Sequence, residues 1–395
     1  MTTTRRILLT LVFLAALSTL PGRVSADPYR LRIDAVGSSQ SPQSPVGLIV
    51  VQGEDRANPW IDAEALAWAG NGSGNADVLT ALVRLHDPRR FTELRIGRQI
   101  LTVGALRPLH IDGADLRVRS PTGTSAEVFA GFPVPTQLGY RTYDWATGGR
   151  IAQTFAGYAN IGLSYLQERT SGVVMHEEAG LDLSAAPARW FDFGAHGAYD
   201  LTNPGVAEAG ASLASRLGDL RPELYFSHRS PSRLMPATSL FSALGDTPSD
   251  VVGATVKWKM FPRLDLLPIV AARATDGDIG LDATLRATLR LDDKGEGALS
   301  LEGRRQGSGP ERWFGMRATA RVPLSRRVGV STELELVKPD DPRGRGDYWP
   351  WALVALRWSP ILHWEVAGAV EAASTATVAH EVNVLARLSW SGGAR

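Results

Sequence analysis

A period of two governs what this chain can become. From residue 281 to 291, Leu281, Ala283, Leu285, Ala287, Leu289 and Leu291 alternate with Asp282, Thr284, Arg286, Thr288 and Arg290. Successive side chains of a strand point to opposite faces, so this stretch has one apolar and one charged face; on a helix the same charges would scatter around the circumference. The pattern recurs. Met316, Ala318, Ala320 and Val322 alternate with Arg317, Thr319 and Arg321, and Val330, Thr332, Leu334 and Leu336 with Ser331, Glu333 and Glu335. Ala254, Val256, Trp258 and Met260 oppose Thr255, Lys257 and Lys259, while Leu31, Ile33 and Ala35 oppose Arg30, Arg32 and Asp34. Val382, Val384, Ala386, Leu388 and Trp390 oppose Glu381, Asn383, Leu385, Arg387 and Ser389. Turn chemistry separates the segments, as at Asn71-Gly72, Asn203-Pro204-Gly205, Asp276-Gly277 and Asp292-Asp293-Lys294-Gly295.

Alternating segments of about ten residues suit a wall with lipid on one side and water on the other. After Asp27 no apolar run approaches the roughly 18 residues of a membrane-spanning helix, so a membrane form must cross with strands. About 22 segments can be marked, and single-chain bacterial barrels favour even numbers. The expected fold is therefore all-β, an antiparallel up-and-down transmembrane β-barrel of about 18 to 22 strands in the outer membrane of a Gram-negative-type bacterium. The rival is a soluble sandwich, but the alternation continues through most of the chain.

The first 26 residues read as a cleavable signal: Arg5 and Arg6, an apolar stretch from Ile7 to Leu20, helix-breaking Pro21-Gly22, and small residues at Val24-Ser25-Ala26. Residues 27–395 then form a single barrel domain, with only 37–45 looking flexible and 133–146, 229–249 and 337–347 as the longer, extracellular loops. Cysteine is absent, which removes disulfides, thiolate metal sites and a lipid-accepting cysteine. Lys and Arg total 42 against 41 Asp and Glu, a balance that argues against nucleic-acid binding.

Trp313, Tyr348, Trp349, Trp351, Trp358, Trp364 and Trp390 fall near ends of expected strands, where aromatic rings settle at a membrane boundary. The last strand, 379–390, closes on Trp390 and resembles the C-terminal signal of outer-membrane proteins, although Ser391 to Arg395 follow it. That resemblance implies outer-membrane lipid and the barrel-assembly machinery as partners.

Residues 92–132 are the most motif-like: Gly97-Arg98-Gln99, Arg107, His110-Ile111-Asp112-Gly113-Ala114-Asp115-Leu116, and Glu127-Val128-Phe129-Ala130-Gly131. Their order resembles alginate-export and related porin barrels over about a tenth of the chain. The resemblance implies a lumen lined by arginines and acids that passes an anionic saccharide or other polar solute. By their own pattern, Arg95, Arg117 and Arg119 lie on polar faces, and Gly97 and Gly113 allow a bend or close backbone approach.

Arg286 with Arg290, and Arg317 with Arg321, are four-residue pairs on inward faces, each spanning roughly 13 Å. Ser300, Glu302 and Arg304 would face inward between them, and Glu333, Glu335 and Arg387 on further strands. Two uses are open: a charge ladder that sets selectivity, or cross-strand ion pairs that stiffen the wall.

Catalytic patterns are weak. His176-Glu177-Glu178 lacks the second histidine of a metalloprotease helix, no phosphate-cradling loop is present, and Ser227-His228 or His110 with Asp112 would make a triad only by assumption. The expectation is a non-enzyme without cofactor or metal: a channel for hydrophilic solutes. The alternative is a non-conducting structural barrel of an envelope-spanning polysaccharide-secretion or motility machine, with periplasmic partners.

Overall fold

Hydrogen bonding closes the chain on itself. The computed structural model describes residues 29–38, 46–70, 76–89, 91–134, 144–230, 248–275, 278–308, 312–341, 347–374 and 381–393. These form β1 (Tyr29–Ser38), β2 (Val46–Asn58), β3 (Ile61–Gly70), β4 (Ala76–His86), β5 (Thr92–Leu101), β6 (Leu109–Arg119), β7 (Thr124–Pro133) and β8 (Ala146–Phe155). There follow β9 (Ala159–Thr170), β10 (Val173–Ala188), β11 (Phe191–Asp200), β12 (Gly205–Ser215), β13 (Leu220–Arg229), β14 (Ser249–Phe261) and β15 (Leu264–Thr275). The last are β16 (Asp278–Arg290), β17 (Ala298–Gln306), β18 (Trp313–Pro323), β19 (Val328–Pro339), β20 (Trp349–Trp358), β21 (Trp364–Ala373) and β22 (Glu381–Gly393).

Each strand pairs antiparallel with its sequence neighbours, and β22 pairs with β1 from Arg30↔Gly393 to Ser38↔Leu385. The result is a closed 22-stranded meander, at the upper end of the expected range, with no open edge. Closure also explains the residues beyond Trp390: Ser391 and Gly392 pair with Arg32 and Leu31 and complete the seam.

Register fixes the faces. Leu281, Leu285 and Leu289 point outward and are 58%, 56% and 41% exposed in the isolated chain, an apolar surface that only lipid would cover. Their neighbours Asp282, Thr284, Arg286, Thr288 and Arg290 point inward.

Outward aromatics gather toward both rims, with Phe132, Trp145, Tyr199 and Phe314 at one and Phe155, Trp190, Phe261, Trp358 and Trp364 at the other. The expected aromatic set divides. Trp358, Trp364 and Trp390 share the lipid face, but Trp313, Trp349 and Trp351 have the parity of Gly315, Val337 and Glu335 and face inward. Strand-end position alone does not determine the face; parity does. Trp351 donates its indole N–H to Glu371 at 2.5 Å.

Both barrel ends of the chain, Tyr29 and Gly393, lie at the rim carrying the two- to seven-residue turns, such as 189–190, 262–263 and 291–297. The three longest links, 134–145, 230–248 and 340–348, share the other rim. Most of those links, residues 1–28, 39–45, Asn71-Gly72 and Asp276-Gly277 lie outside the described residues.

Candidate functional site

The inner wall is polar because every second residue of each strand must face the bore, and there charge can find water or a partner. Cross-strand register brings opposite charges together. Arg286 and Arg304 both donate to Glu302, which is 3% exposed. Arg317 pairs with Glu333, Arg387 with Glu365, and Arg290 with Asp265 at 3.3 Å. On the opposite wall Arg95 bonds Glu93 at 2.5 Å, with Asp115 3.9 Å away, and Arg117 bonds Glu127 at 2.8 Å. Arg321 donates to the carbonyls of Glu296 and Gly295 at 2.9 and 3.0 Å. Arg119 and Glu335 have inward parity and no ion pair among the described residues. All twelve charged residues marked in the sequence thus have inward parity, and most are held in ion pairs along the wall.

The motif-like region behaves otherwise in part. Arg98 pairs in register with Asp112, and Asp112 with the outward Phe132, so Arg98, His110 and Asp112 sit on the outer face. Arg98 grips Asp112 through Nε at 2.7 Å and Nη2 at 2.9 Å, and reaches Asp77 at 3.0 Å. His110 Nε2 lies 2.7 Å from the carbonyl oxygen of Leu79. Gly97, at φ +130°, and Gly113 are register partners; a Cβ on either would overlap a neighbouring strand's carbonyl oxygen, of Ala81 and Ala130 respectively. The strands approach closely here, one of the two uses these glycines allow.

The principal departure from a bare cylinder is the link from β5 to β6. Inner positions toward the long-loop rim of β5 to β9 turn apolar: Leu101, Leu109, Ile111, Phe129, Ala146 and Leu166. An apolar patch facing a watery bore is unfavourable unless covered, and residues 102–108 fold inward to cover it. Val103 and Leu106 join that cluster, at 2% and 3% exposure. A Cβ on Gly104 would stand 2.5 Å from the Asp182 carboxylate, and one on Gly180 would touch Ala105 and Leu106. The segment therefore lies against β8 to β10 inside the barrel.

Arg107 anchors it. Its Nε donates to Glu178 Oε1 at 2.8 Å and its Nη2 to the same oxygen, with the two side chains 4% and 0% exposed. Beside it Arg150 donates to Asp182 at 3.0 Å through Nε and to Asn160 at 3.1 Å. In the sequence Arg107 stands in the motif-like region and Glu178 only in the His176-Glu177-Glu178 run set aside as a metalloprotease motif, while Arg150, Asp182 and Leu106 carry no mark. The available signal was the switch of inner positions from polar to apolar along β5 to β9.

The suggested triads do not assemble. Ser227 and His228 are consecutive in β13 and point to opposite faces, and His228 lies 2.6 Å from Asp250. His110 and Asp112 are committed to Leu79 and Arg98. Among the described residues no cluster of three or more His, Cys, Asp or Glu could hold a metal ion.

No protein-family model matches the chain, and no curated protein matches its sequence. Solved structures do match in fold. The siderophore receptor PirA from Pseudomonas aeruginosa superposes with a TM-score of 0.61 at 8% identity, over 94% of this chain and 81% of that one. A mutant of the ferric enterobactin receptor PfeA from Pseudomonas aeruginosa gives 0.61 at 8%, over 94% and 82%. The translocation pore of the P pilus usher PapC gives 0.51 at 10%, over 93% and 99%. The chain has the fold of bacterial outer-membrane β-barrels, and its apolar outer face is the surface such a barrel turns to lipid.

Proposed function

We propose that this protein is an outer-membrane channel for hydrophilic solutes, with its bore narrowed by residues 102–108. The observation that carries the reading is the inner wall: polar and charged around the barrel, with one short segment folded across part of it. Fold similarity to a translocation pore and to siderophore receptors supports a transport role. Short turns of such barrels face the periplasm, which puts the long loops and the inward segment toward the cell exterior.

Single-channel recording of the purified barrel in planar bilayers, with neutral polymers of graded size, tests this. Discrete conductance steps that small polymers reduce and large ones leave unchanged are expected. A folded barrel that never conducts would overturn it.

The dense ion pairing of the inner wall favours a second reading, a stiff non-conducting scaffold with periplasmic partners in a polysaccharide-secretion or motility machine. Co-purification of such partners with a silent barrel is the outcome that would select it.

A further inference from the structure

Most inward arginines have an acid within reach, and the exceptions are not spread evenly. Arg221, Lys257 and Lys259 are exposed on the inner face, on the parity opposite to the outward Leu224, Val252 and Trp258, and none forms an ion pair among the described residues. Arg221 and Lys257 are direct register partners. Like charges placed opposite each other weaken strand pairing, so folding alone does not call for them. Lys259 stands opposite Asp265, but that carboxylate is engaged by Arg290 at 3.3 Å. Glu223 is the one acid with inward parity on β13 and β14.

All three lie within a few residues of the turns 216–219 and 262–263, at the short-turn rim. Two other unpaired inward cations, Arg30 and Arg119, are at the same rim, and Arg321 there meets only neutral carbonyl oxygens. Toward the other rim the inward charges without an ion pair among the described residues are acids, among them Glu168, Asp200, Glu335, Glu371 and Glu381. Free charge is thus distributed along the bore axis, positive at one mouth. A mouth of one sign with low-dielectric walls concentrates counter-charged solute ahead of the constriction.

We infer that Arg221, Lys257 and Lys259 form an anion-collecting site at the periplasmic mouth, concentrating small anionic hydrophilic solutes of the polycarboxylate or similar multivalent kind. The inference rests on the channel reading above for its role in transport, though not for the binding itself. An anion held there is bound by two or three exposed cations in water, so its attraction falls as salt screens it.

The test uses the full-length barrel in planar bilayers at low ionic strength, with citrate as the probe added to each side in turn. Wild type should show citrate block from one side only. Arg221→Gln with Lys257→Gln and Lys259→Gln should weaken that block about tenfold, while Lys257→Arg with Lys259→Arg keeps it. Equal block in wild type and the triple Gln variant, or equal block from both sides, would overturn the inference. A barrel that passes no current counts against the channel reading; citrate titration calorimetry on the detergent-solubilised protein then decides the site alone, and absence of binding heat in wild type would overturn it.

Discussion

Arg107 and Glu178, seventy-one residues apart in sequence, form a buried ion pair inside the barrel, fastening the β5–β6 link to β10. A buried pair broken by removing one partner costs about 3–5 kcal/mol, whereas burial of a single Leu or Val side chain contributes about 1.5–3 kcal/mol. The ion pair and the apolar pad are therefore comparable, and neither alone decides the segment's position.

Arg107→Gln should accordingly loosen the segment without freeing it, seen as increased open-channel noise at nearly unchanged conductance. Adding Leu106→Asp removes the second hold and should raise conductance and the polymer size that enters. Unchanged conductance in the double variant would show that 102–108 does not set the bore.

Outer and inner faces should respond oppositely to the same charge. Leu285→Arg places a guanidinium on the lipid face at a cost of about 2–4 kcal/mol near the bilayer midplane. Thr284→Arg, one residue earlier, faces the bore and should cost under about 1 kcal/mol. Urea unfolding of both variants in lipid measures the difference; equal costs would contradict the assigned parity.

Gly97→Ala should disrupt the close approach of β5 to β4. The new Cβ would overlap the Ala81 carbonyl at a φ of +130°, a region that costs a residue with a side chain on the order of 1–3 kcal/mol even before the clash. The readout is loss of the heat-modifiable folded band on a gel. Gly303→Ala, where a Cβ meets open space, should fold like wild type.

Glu302 holds two guanidiniums, so Glu302→Gln releases net positive charge into the bore. The reversal potential in a salt gradient should move toward anions, and the further change of Arg286, Arg290, Arg317 and Arg321 to Ser should move it back. A fixed reversal potential would leave these residues a purely structural role.

In the turn from β16 to β17, Asp292 accepts backbone N–H bonds from Gly297 at 2.5 Å and Glu296 at 3.0 Å, which holds its carboxyl below the ordinary aspartate value of 3.8. A depressed folded pKa means the stabilisation is complete above the unfolded value and fades as pH falls through the lower, folded one. Hydrogen-exchange protection of the Glu296 and Gly297 amides should therefore persist at pH 5 and decline below about pH 3.8. Asp292→Asn should abolish the acid dependence.

Alternation determined the barrel from the sequence alone, because the period of two is a property of the local backbone: Leu285 and Arg286 cannot share a face in any extended chain. The same rule assigned inward parity to Arg286, Glu302, Arg317, Glu333 and Arg387. Parity also explains the failure with Trp313, Trp349 and Trp351, where position near a strand end was used instead.

Only the tertiary structure decided which charges meet, since Glu302 could have served Arg286, Arg304 or Arg317 until register fixed the distances. It alone brought Glu178 to Arg107, because that contact depends on barrel closure curving β10 around to a link five strands away. The chain writes its faces locally; its bore, and the segment that narrows it, exist only once the twenty-second strand has paired with the first.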